Sequence, residues 1–186
     1  LQSSFIVFNG KFYHLSFAKK KFTINILFMK ANIGINEAHN ASTALILNTL
    51  LADEVVLYTK TKYYHWNVTG PGFHDFHLFF DSQAEELEDI IDEVAERARS
   101  LGHFTIGTLS DFSKMTRLLE HSQGALNKGL ELVQNLLDDH ETLCRTLRND
   151  IGIVDEKNKD ISTTDFLTGI LEHHEKMAWM LRAYLG

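Results

Sequence analysis

The stretch HWNVTGPGFHDFHLFFDSQAEELEDIIDEVAERARSLG, residues 65–102, decides how the rest of the chain is read. Gly70-Pro71-Gly72 are strong breakers, so they end one helix and let another begin. From about His74 the apolar positions Phe80, Ala84, Leu87, Ile91, Val94 and Ala98 recur at helical spacing. This predicts a helix to Leu101, stopped by Gly102 as the residue after its cap. The same helix carries four potential metal ligands, His77, Asp81, Asp92 and Glu96, in two i, i+4 pairs.

With His77 at zero and about 100° per residue, Asp81 falls near 40°, Asp92 near 60° and Glu96 near 100°. The four share one arc that flanks the apolar stripe; a solvated face would lie opposite it. Along the axis, Asp81 and Asp92 are roughly 16 Å apart at about 1.5 Å per residue. Metal bonds to oxygen or nitrogen are about 2 Å, so the two pairs cannot hold one ion within a chain. A second copy, antiparallel about a twofold axis near residues 86–87, would bring its Asp92 and Glu96 opposite His77 and Asp81. His65, on the preceding helix, can then complete each of two identical sites. Two imidazoles and three carboxylates suit iron, manganese or zinc, and the arithmetic asks for an isologous dimer. Taken alone, Asp92 and Glu96 describe a solvated surface, and His65 alone describes a packed core histidine.

Working outward, a first helix is expected from Glu37 to Val68, with Leu47, Leu51, Val55, Tyr58 and His65 on one face. After Gly102 comes a linker in which Ser110-Asp111-Phe112-Ser113 can start a short helix. A third long helix is expected from about Gln123 to Asp150, and a fourth from Thr164-Asp165 to Leu185. The fold class is therefore all-α: a four-helix bundle with one long crossover between its second and third long helices, carrying a short extra helix. No Glu has a His three positions later, which argues against the Glu-x-x-His site of di-iron bundles.

Composition bounds the function. The chain has 186 residues and a formal charge of −7. Residues 1–28 hold four lysines, Lys11 and Lys19–Lys21, and no acid, which leaves residues 29–186 at −11. They also hold six of the 13 phenylalanines, and are read as a separate basic, aromatic extension before a domain over 29–186. Met29 as the native start and a genuine extension are both compatible with this. An acidic body attracts cations and disfavours the DNA backbone. The single cysteine, Cys144, excludes a disulfide framework and reads as a small apolar filler. No run approaches the roughly 20 apolar residues of a membrane span, and the expected location is the cytoplasm.

His65-Trp66-Asn67-Val68, then His77 with Asp81, then Asp92-Glu93-Val94-Ala95-Glu96-Arg97, resembles the Dps family, the DNA-protecting mini-ferritins of starved cells. The match extends through His173-His174-Glu175-Lys176-Met177-Ala178-Trp179. The resemblance implies a ferritin-like bundle assembled as a dodecameric shell from twofold dimers. It implies ferroxidase sites with His65, His77 and Asp81 from one subunit and Asp92 and Glu96 from its neighbour. Their work would be to oxidise Fe(II), with hydrogen peroxide or oxygen, and to store Fe(III) inside, protecting the cell from oxidative damage. It further implies acidic threefold pores, for which Asp150, Asp155 and Asp160 are candidates; a solvated loop is the alternative. Trp66 resembles the family's tryptophan beside the site and is not assigned a catalytic role. His173 and His174 are expected to be packed or exposed, with adventitious metal binding a lesser use. The rival function is DNA compaction by the lysines of the extension, and weak or no DNA binding is expected.

Overall fold

The computed structural model describes residues 4–8, 11–15, 31–121 and 128–186. Its helices are α1 Glu37–Asn67, α2 Phe73–Ser100, the short α3 Leu109–Met115, α4 Gly129–Gly152 and α5 Ile161–Leu185. A π-helical turn, Ile153–Lys157, continues α4. The bundle with one long crossover is as expected from the sequence. Residues 123–127, expected to begin the third long helix, lie outside the described residues, as do Lys19–Lys21 and Met29.

Local chemistry sets the helix ends. The Asn36 side chain accepts from the Ala38 N–H at 2.9 Å and caps α1. At the end of α2, the His103 N–H reaches the Ala98 carbonyl and the Gly102 N–H reaches that of Arg99. Gly102 has φ 89°, the left-handed position that this paired closure needs. Thr108 caps α3 by accepting from the Asp111 N–H. Helix α5 starts three residues before the expected Thr164, because Asp160 accepts from the Thr163 N–H and hydroxyl.

Helices α1 and α2 form one antiparallel hairpin, and α4 and α5 the other. Lys60 of α1 meets Asp139 of α4, and Asp53 shares Arg117 with Asp150. Earlier residues of α1 thus face later ones of α4, so α4 runs antiparallel to α1 and parallel to α2. Parallel neighbours need a long connection, and residues 101–128 with α3 supply it. Arg117 in this crossover pins both hairpins, bonding Asp53 Oδ2 and Asp150 Oδ2 at 2.7 Å each.

The core joins Leu47, Leu50 and Leu57 of α1 to Phe80 and Leu87 of α2, Leu136 and Leu143 of α4, and Leu167 and Leu181 of α5. Each such side chain contributes about 1.5–3 kcal/mol by leaving water. By length and mean hydropathy α1 also qualifies as a membrane span, although polar and charged residues interrupt its apolar runs. Here its apolar residues make the bundle core, and Asp53, Glu54, Lys60 and Thr61 are buried with them. At the top of α4, a Cβ on Gly129 would sit 2.1 Å from the Phe76 ring, so glycine allows α2 to approach.

In the extension, Ser4–Phe8 pairs antiparallel with Lys11–Leu15, Phe8 opposite Lys11. This hairpin adds to the all-α expectation. The residues between the strands in sequence, Asn9-Gly10, are the pair that most favours a two-residue hairpin connection.

Candidate metal centre

The breaker Gly70-Pro71-Gly72 returns the chain so that the last turn of α1 faces the first turns of α2. There His65 and His77 stack, ring centroids 3.9 Å apart and 19° from parallel, with Phe73 stacked on the far face of His77 at 5.2 Å. Each imidazole is held by the other's backbone: His65 Nδ1 bonds the His77 carbonyl at 2.8 Å, and His77 Nδ1 bonds the His65 carbonyl at 2.9 Å. A carbonyl only accepts, so both Nδ1 atoms must carry the proton. Both Nε2 atoms of the neutral rings are therefore bare lone pairs, the form a divalent ion takes. The His65 carbonyl is available because the last four carbonyls of a helix lack helical donors.

Asp81 stands beside this pair, its Oδ1 3.7 Å from His65 Nε2. The same oxygen accepts from Lys62 Nζ at 2.8 Å. That hydrogen bond holds the Asp81 carboxyl below the usual carboxylate range; reciprocally it raises the Lys62 ammonium. Lys62 was not singled out from the sequence. Its signal was available, since it lies three residues before His65 and so on the same helical face.

Asp92 and Glu96 are exposed further along α2 and make no hydrogen bond or ion pair among the described residues. The structure thus brings three of the five residues together and leaves two apart, and no single-chain group of three or more ligands converges on one point among the described residues. Trp66, next to His65 in the chain, is 66% exposed, and Phe73 and Leu78, close to His77 in sequence, are exposed as well.

Of the three pore candidates, Asp150 is buried and paired with Arg117, and Asp160 is buried as the cap of α5 and partner of Arg97. Only Asp155, in the π-helical turn, presents an exposed carboxylate. His173 is exposed and bonds Glu86 at 2.7 Å, while His174 is fully buried. Cys144 is half-buried against the core.

A family model described as a ferritin-like domain matches residues 44–186. A low temperature-induced protein of Nostoc sp. is 40% identical over 156 residues, covering 84% of this chain and 87% of its own. DNA protection during starvation protein 2 of Bacillus anthracis is 34% identical over 147 residues, covering 79% of this chain and 99% of its own. Among solved structures, Dps from Thermosynechococcus elongatus superposes with a TM-score of 0.75 at 29% identity, over 80% of this chain and 93% of that one. Dps from Vibrio cholerae, described as a member of a broad superfamily of ferritin-like diiron-carboxylate proteins, gives 0.78 at 29% identity, over 84% and 97%.

Proposed function

This chain belongs to the Dps branch of the ferritin-like family, and from that premise we propose that it is an iron-storage mini-ferritin that oxidises Fe(II) at sites shared by two subunits. The observation that carries the reading is the reciprocal anchoring of His65 and His77, which leaves both Nε2 lone pairs bare, that of His65 beside the Asp81 carboxylate. Such a set fits a divalent ion but supplies too few donors to complete its shell. Asp92 and Glu96 of a twofold neighbour supply the rest, consistent with their lack of partners among the described residues.

In this reading Fe(II) is the substrate. The histidines bind the first ion, neutral nitrogen suiting Fe(II), and the carboxylates favour the harder ferric product. Hydrogen peroxide takes two electrons, one from each of two Fe(II) ions, so its O–O bond breaks without releasing a hydroxyl radical. Lys62 occupies the Asp81 oxygen nearest His65, so an ion must displace that ammonium to gain this carboxylate; a second ion, held through Glu96 or water, fills its position more weakly than the first. Ferric product collects inside a dodecameric cytoplasmic shell, and exposed Asp155 is the remaining candidate for lining an entry pore. A body of −11 charge repels DNA, so DNA compaction is the lesser role, and a gel shift at about 0.15 M salt is expected to be negative.

The test is peroxide-driven Fe(II) oxidation, followed by ferric absorbance, in the native protein and in His65→Ala/His77→Ala. Loss of even supporting residues around a metal costs about 10–100-fold, so at least that is expected for loss of both imidazoles. Equal rates in the two proteins reject the site. Repeating the assay with oxygen decides the preferred oxidant.

A further inference from the structure

Three side chains from three helices meet in the middle of the bundle, far from the metal cluster. Glu54 of α1, His140 of α4 and His174 of α5 are each 0% exposed. His174 Nε2 lies 2.8 Å from Glu54 Oε1, and its Nδ1 lies 2.9 Å from His140 Nδ1. The two outer atoms, Glu54 Oε2 and His140 Nε2, have no hydrogen-bond partner among the described residues. We propose that this line is an acid-sensitive latch, which fastens α5 to α1 and α4 at neutral pH and releases α5 when both imidazoles are protonated.

The proton count carries the argument. A nitrogen-to-nitrogen contact of 2.9 Å holds one proton, so one ring donates and the other accepts. One imidazolium is compatible with this, because His174 can be positive between the Glu54 carboxylate and an accepting His140. Two are not, because each ring would then point an N–H at the other. The surroundings offer a second positive ring nothing. Every buried residue of α2 is non-ionisable, and α3 has no buried residue. On α1, Asp53 is committed to Arg117, Lys60 to Asp139 and Tyr64 to His121. On α4, Asp150 is committed to Arg117, and at the start of α5, Asp160 to Arg97. Among the described residues Glu54 is the one buried carboxylate facing the rings, and one imidazolium satisfies it.

Burial, with His174 adding to it, holds the His140 imidazole well below its ordinary range. In the unfolded chain its proton affinity is ordinary, near pH 6.5. The folded state therefore binds fewer protons below that pH, and its stability is lost as pH falls. One proton corresponds to about a tenfold fall in the closing equilibrium per pH unit.

The test is hydrogen exchange read by mass spectrometry on the assembled full chain at pH 7.5 and 5.5, corrected for intrinsic exchange. Segments of α5 around His174 are expected to lose about tenfold protection relative to α2. Unchanged α5 protection in the native protein overturns the latch. His140→Leu keeps the His174–Glu54 pair and removes the second base, so its α5 protection should no longer respond to pH; a native-like response overturns the latch. His173→Gln, which alters the exposed histidine of the same helix, should keep the response, and its loss there would assign the effect to the wrong ring. If His140→Leu does not fold, the native and His173→Gln measurements still decide.

Discussion

If each oxidation site takes His65, His77 and Asp81 from one subunit and Asp92 and Glu96 from another, two inactive variants should restore each other. One variant carries alanine at the first three positions and the other at the last two. In a twofold dimer of one of each, the first site combines the intact imidazole half of one subunit with the intact carboxylate half of its partner. The second site combines both damaged halves. Half of its sites are therefore whole. Random one-to-one mixing makes half of all dimers mixed, so about one quarter of native sites are rebuilt. We expect either variant alone to oxidise Fe(II) with peroxide at background rate, and the co-expressed mixture to recover about a quarter of the native initial rate per subunit. Differently tagged subunits, purified by both tags in turn, verify that mixed assemblies carry the activity. Background rate in the mixture refutes the shared site. Full activity in the Asp92→Ala/Glu96→Ala parent alone refutes the role of the carboxylate pair.

Arg117→Met leaves Asp53 and Asp150 buried without their cation, and should cost about 3–5 kcal/mol in urea unfolding; adding Asp53→Asn and Asp150→Asn should recover most of it. A loss under about 1 kcal/mol would mean that the crossover is not pinned by this arginine. Burial pushes the Tyr64 phenol up to about 12, whereas in the unfolded chain it ionises near pH 10. Its contribution is thus present below pH 10 and lost as pH rises towards 12. Tyr64→Phe should flatten the alkaline fall in stability and remove the latest step of the tyrosinate absorbance titration; an unaltered titration would contradict the burial argument.

Periodicity made α2 legible almost to the residue, because its buried positions are apolar and its other face is not. The i, i+4 pairs were legible for the same reason: they sit on a helix whose phase is fixed. Helix α1 was less transparent. Asp53, Glu54 and Lys60 look like surface residues in one dimension and are buried because Arg117, His174 and Asp139 come to them from elsewhere in the chain. No spacing within α1 announces a partner 64 or 120 residues away. The same holds for Asp150, whose charge suggested a pore and whose partner lies in the crossover. Some misses had local signals. Asn9-Gly10 marks a hairpin, and Asp160 three residues before Thr163 marks a helix start as well as Thr164 does. Lys62 needed both kinds of knowledge, a helical face and the fold that brings Asp81 to it.

The exchange of hydrogen bonds between His65 and His77 spans 12 residues, while the latch in the core spans up to 120. Closing a short loop costs less chain entropy than closing a long one. The imidazole half of the proposed site therefore depends only on the end of one helix, the turn Gly70-Pro71-Gly72, and the start of the next. On the proposed reading, its order of assembly follows from that locality: the half that would bind a first ion is encoded within one hairpin, and the half that would finish the chemistry arrives only by encounter with another molecule. Activity per chain should then rise with protein concentration through the range where dimers form, so catalysis itself reports the subunit equilibrium.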